Sequence, residues 1–123
     1  MNYNAASETV SDLKRNLILA TEKYFEYFGT KNPKGLEGLY TKDIQLTDWN
    51  GIWKGRLAVL EMNESIFNNE LFVKVDEIHQ CGNRTYAHIT ITINETDLKV
   101  LDIIDWTDDF KIINIQAYDG TLR

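Results

Sequence analysis

The chain has 123 residues, 43% hydrophobic and 26% charged, the size and balance of one globular domain. With 13 basic against 19 acidic side chains the formal charge is −6, so the surface repels phosphate backbones and anionic lipids, and neither nucleic acid nor membrane is an expected partner. The single cysteine, Cys81, excludes an intrachain disulfide and cannot build a zinc site with two histidines, so no metal or cofactor is expected and a reducing, cytoplasmic setting is.

Residues 1–7 show no basic or apolar targeting segment, and no apolar run approaches the roughly 20 residues that span a bilayer. One domain over 1–123 is expected, with 1–6 as a loose tail. Val10, Leu13, Leu17, Ala20, Tyr24 and Phe28 recur at spacings of three and four, which predicts a helix from Ser7, its cap, to Phe28, with Gly29 ending it. Asn32 then caps a short helix opened by Pro33, with Leu36, Leu39 and Tyr40 facing inward. Residues 43–48 alternate and predict a short strand. Trp49–Gly55 reads as a loop, and a third helix over Arg56–Asn68 should bury Leu57, Leu60, Ile66 and Phe67.

The second half alternates with period two. Strands are predicted over 71–80, 84–94, 98–106 and 111–118, joined by short turns, so they form an antiparallel meander. Helices first and strands second make an α+β domain. Three helices in front of a curved, mostly antiparallel sheet enclose one pocket. Ile89, Val100, Ile104 and Ile115 are expected to line it, with Trp49 and Trp53 as its aromatic wall.

Asp102 breaks the pattern. It falls on the apolar face that holds Leu98, Val100, Ile104 and Trp106, where a carboxylate must be protonated, paired or hydrogen-bonded. The opposite face carries Leu101 and Ile103, so the strand is covered on both sides. A homodimer through the outer sheet face is the expected cover.

Three helices, a meander, and Asp48 closing a short strand before a glycine-ended loop resemble the nuclear transport factor 2-like superfamily, in its SnoaL-like and ketosteroid isomerase-like branch. The resemblance spans Val10 to Tyr118. It implies a cone-shaped half-barrel with a deep pocket, usually dimeric. Glu22-Lys-Tyr24-Phe resembles the segment with the family's tyrosine, Leu46-Thr-Asp48 the segment with its base, and Leu101-Asp102 the place of its second acid. On that resemblance Asp48 shuttles a proton beside a carbonyl, while Tyr24 and a neutral Asp102 hold the enolate oxygen, the acid–base logic of the ketosteroid isomerases.

The chain also departs from the isomerases. Trp49 follows Asp48 where they have proline, the loop to Gly55 is more aromatic, and Lys99 stands near a segment that is apolar in them. These differences change the pocket mouth, and a small apolar carbonyl compound rather than a steroid is the expected ligand. The alternative is a non-catalytic module of the same fold, in which Asp48 only forms an Asx-turn. His79 and His88 have no nucleophile partner at a recognisable spacing. No arginine flanks Asp102 on its strand, against the aspartate–arginine–aspartate set of the limonene epoxide hydrolase branch.

Overall fold

A long amphipathic helix opens the fold. In the computed structural model, which describes residues 5–122 and side chains from residue 17 onward, α1 spans Ala5–Gly29. Ser7 therefore lies inside the helix rather than at its cap, and Ala5 and Ala6 leave the expected tail. Residues 1–4 and the Val10 and Leu13 side chains lie outside the described residues. Leu17, Tyr24 and Phe28 are buried, with Ala20 packed against them. After Gly29 the residue with left-handed backbone is Lys31, at φ 56°. There the Asn32 N–H returns to the Tyr27 carbonyl at 2.8 Å.

Helix α2 is Pro33–Leu39, and the Asn32 side chain accepts from the Gly35 N–H at 3.0 Å. Gly35 is where α2 crosses α1: a Cβ there would stand 2.5 Å from the Tyr27 ring. Strand β1 runs Tyr40–Asp48, three residues longer at its start than expected. The expected loop contains a second strand, β2, Gly51–Lys54, which pairs Trp53 with Leu46 and Gly51 with Asp48. Helix α3, Arg56–Phe67, buries Val59 and Asn63. Leu57, expected inside, is 72% exposed. At 3.6 residues per turn it points about 200° away from Val59.

The remaining strands are β3 Leu71–Cys81, β4 Arg84–Ile93, β5 Thr96–Trp106 and β6 Ile112–Asp119. They form the expected meander within a six-stranded sheet of order β2-β1-β6-β5-β4-β3. One pairing is parallel: β1 lies beside β6, with Leu46 opposite Ile115. Register shifts at Val75/Glu77 and Asp105/Trp106 add local bends, and the sheet curves around the helices as an open half-barrel. Under α1 the buried Thr85 hydroxyl accepts from the Trp106 indole at 2.9 Å and lies 3.0 Å from the Thr21 hydroxyl. This polar knot ties β4, β5 and α1 together inside an otherwise aliphatic and aromatic core.

Candidate functional site

The concave face of the sheet does not close completely on the helices. Between α1, α3 and strands β1, β4, β5 and β6 lies a cavity of about 200 Å³. Its walls are mainly apolar, with Phe25 and Phe28 on one side and Ile89, Val100 and Ile115 on the other. Tyr24, Asp48 and Asp102, which sequence reasoning selected from three distant segments, all line it. Among the described residues no lysine, arginine or histidine does.

Asp102 points inward because strand alternation carries it to the core face, with Val100 and Ile104 on either side. Its neighbours across the sheet are Ala87 on β4 and Ala117 on β6. Two alanines leave space around the carboxyl that larger residues would fill. The side chain is 6% exposed. Burial raises its pKa to about 7, and the negative charge of Asp48 adds to the rise. Near neutral pH a large share of Asp102 is therefore a neutral acid, able to donate a hydrogen bond.

Asp48 ends β1, and the two-residue turn to β2 puts Trp49 and Asn50 at the cavity wall. One carboxylate oxygen accepts from the Asn50 N–H at 2.6 Å, the Asx arrangement. Its other oxygen is not engaged by that bond. Trp49 is 46% exposed, so the indole covers part of the opening without sealing it.

Tyr24 lies one helical turn before Phe28, on the buried stripe of α1. Its pKa is raised well above the ordinary phenol value, first by burial and then by the neighbouring Tyr40 and Asp102. The phenol thus stays protonated. Beside it, Tyr40 donates to the Asn63 Oδ1 at 2.7 Å. Sequence reasoning assigned neither Tyr40 nor Asn63 to the site. Asn63 carried a signal of the same kind as Asp102: a polar residue four positions after Val59 and three before Ile66, on the face that α3 buries.

Two expected pocket residues are elsewhere. Trp53 sits on the edge strand β2 beside Leu46 and packs into the core, outside the cavity. Ile104 is fully buried two residues beyond Asp102, where the core is packed solid. On the outer face, Asp105 is bound by Arg84 at 2.6 Å, so this arginine is directed away from the cavity. Leu101 and Ile103 lie on that outer face and are only half-buried. His79 and His88 face each other there, ring centroids 6.1 Å apart. Among the described residues no helix is long and apolar enough to cross a membrane, and no group of three or more His, Cys, Asp or Glu side chains is placed to hold a metal ion.

Residues 21–115 match the family profile of the SnoaL-like domain. No curated protein matches the sequence. Many solved structures share its shape, three of them as follows. A candidate ketosteroid isomerase from Kribbella flavida superposes with a TM-score of 0.82 at 12% identity, covering 89% of this chain and 82% of the other. A candidate SnoaL-like polyketide cyclase from Jannaschia sp. gives 0.78 at 12% identity, covering 88% of each chain. The epoxide hydrolase/cyclase-like enzyme SalBIII, of pyran ring formation in salinomycin, gives 0.80 at 14% identity, covering 87% and 92%. At such identities the likeness is one of fold, and a fold hosts many chemistries.

Proposed function

The chain belongs to the SnoaL-like domain family, and from that premise we propose that it is a cofactor-independent acid–base enzyme, isomerase-like or cyclase-like, acting on a small apolar carbonyl compound. The observation that carries this reading is the convergence of Asp48, Asp102 and Tyr24 on one apolar cavity that no cationic side chain lines among the described residues. Asp48 is the base, through the carboxylate oxygen that the Asn50 N–H does not hold. It removes a proton from the carbon beside the carbonyl and returns it elsewhere. Asp102, neutral, and Tyr24 donate to the oxygen on which negative charge develops. Such donors act most strongly where water is excluded. The cavity is somewhat larger than the ~150 Å³ hole that accepts benzene and smaller than the roughly 300–1,000 Å³ of drug-sized sites. That size favours a one- or two-ring substrate over a steroid.

Proton exchange provides the test. In D2O the protein should speed deuterium uptake at the carbon beside the carbonyl of small cyclic ketones, followed by NMR, and Asp48→Asn should abolish the acceleration while the fold persists. Uptake at the buffer rate, or an Asp48→Asn variant as fast as the wild type, counts against the mechanism. A second reading, a non-catalytic binder of small apolar ligands, draws on the same hydrogen bond from the Asn50 N–H, which gives Asp48 a structural use without chemistry. The outer face, with Leu101 and Ile103 half-buried and Tyr118 53% exposed, is the surface we assign to a homodimer.

A further inference from the structure

One polar side chain on the cavity wall is left over by this chemistry. Asn63 is fully buried and lines the cavity. Its Oδ1 accepts the hydrogen bond from the Tyr40 hydroxyl, which leaves an amide NH2 with two protons to place. The partner it has is the Met62 sulfur, 4.0 Å away, and a thioether is a weak acceptor. Turning the amide over would set Oδ1 against that sulfur, two acceptors facing each other. Buried N–H groups without a good acceptor are destabilising, and folded proteins keep few of them. On a cavity wall, such a group can be paired by whatever enters the cavity.

We infer that Asn63 is a specificity-determining residue whose amide donates to a second oxygen of the bound compound. The ligand is then a small, largely apolar molecule oxygenated at two positions, a hydroxyketone or diketone. One oxygen faces Asp102 and Tyr24, and the other faces Asn63. This rests on the cavity being the ligand site proposed above and deepens that reading by naming the substrate class. Tyr40 keeps its bond to Asn63 throughout, and the Tyr24 hydroxyl donates to the ligand, so both poles act together. A monofunctional ketone would leave the Asn63 protons unpaired. A site built to hydrogen-bond an oxygen discriminates strongly against the analogue that lacks it.

Calorimetric titration of the full chain with 3- and 4-ethylphenol and with 3- and 4-hydroxyacetophenone tests this. Within each pair a carbonyl replaces a methylene. The phenol oxygen addresses Asp102 and Tyr24 in all four compounds, and only the ketones carry an oxygen for Asn63. At least one ketone should bind the wild type about tenfold more tightly than its ethyl counterpart. That preference should shrink to within about twofold in Asn63→Ala. Should Asn63→Ala fail to fold, the double variant Tyr40→Phe/Asn63→Leu, which replaces both partners of their bond by apolar groups of similar shape, is expected to lose the preference as well. Equal affinity within both pairs for the wild type overturns the inference, as does a preference that survives in the variants. Binding of the ethylphenols then leaves the proposed function standing, whereas failure of all four to bind removes both.

Discussion

The Tyr40 hydroxyl donates to Asn63 Oδ1 at 2.7 Å, which fastens the first residue of β1 to the buried face of α3. Both residues are buried. Tyr40→Phe keeps the ring and leaves the Asn63 carbonyl oxygen unpaired. The variant should lose about 1–3 kcal/mol of stability. Urea unfolding reads this directly, and an unchanged midpoint would show that the bond contributes nothing net.

Asp102 makes stability depend on pH in a particular direction. Its carboxyl is raised from 3.8 to about 7 in the folded chain, with burial as the main cause. The folded state therefore holds this proton more tightly than the unfolded state does. Its stabilising influence is complete below the unfolded value and is lost as pH rises towards about 7. Above that the carboxylate is ionised in an apolar wall, at a penalty on the order of 4 kcal/mol. Asp102→Asn removes the titration. Wild type and variant should unfold alike near pH 4, with the variant the more stable by a few kcal/mol near pH 8. A difference between them that does not widen with pH rules this out. Binding of a ligand oxyanion, which needs the neutral acid of the folded chain, should weaken as pH rises through about 7.

Thr85 is the acceptor for the Trp106 indole N–H. Thr85→Val preserves shape and strands that donor in a dry core, where an unmet hydrogen bond costs about 1–3 kcal/mol. Chemical denaturation should show the lower midpoint with an unchanged m-value. No loss of stability would mean that the threonine is replaceable packing.

The outer face makes a separable prediction. Ile103 is opposite Tyr86 on β4 and Gln116 on β6, in the middle of the sheet. The wild type should sediment as a dimer. Ile103→Lys should give a monomer with the same far-UV circular dichroism, because the substitution leaves the concave core untouched. A wild-type monomer at micromolar concentration, or a dimeric variant, contradicts the assignment.

Much of the fold was legible because its signals are local. Asn32 and Pro33 mark the start of α2, and the alternation from Arg84 to Trp106 sets which strand residues face in. Asp102 stood out for the same reason, as one carboxylate in a row of aliphatic side chains. What was not legible depends on contacts distant in sequence. β2 is four residues long and exists because β1 offers it an edge. Tyr40 reads as helix until its pairing with Ile112 draws it into the sheet. Leu57 and Val59 are both apolar, and only the placement of α3 against β1 and β2 decides which is buried. Trp53 was assigned to the pocket from its ring alone, and its edge position takes it away.

The parallel pairing of β1 with β6 has a consequence for how the chain is made. The earliest strand to be synthesised has its inner neighbour in the latest one, and β6 sits between β1 and β5 in the middle of the sheet. Until residues 112–119 are available, β1 and β2 are a hairpin that lacks its inner neighbour. A chain with such distant pairings folds late and slowly compared with one built from local contacts. A stop codon placed before β6 should therefore yield an aggregating product, with β1 and β5 each left without the neighbour between them, rather than a smaller domain.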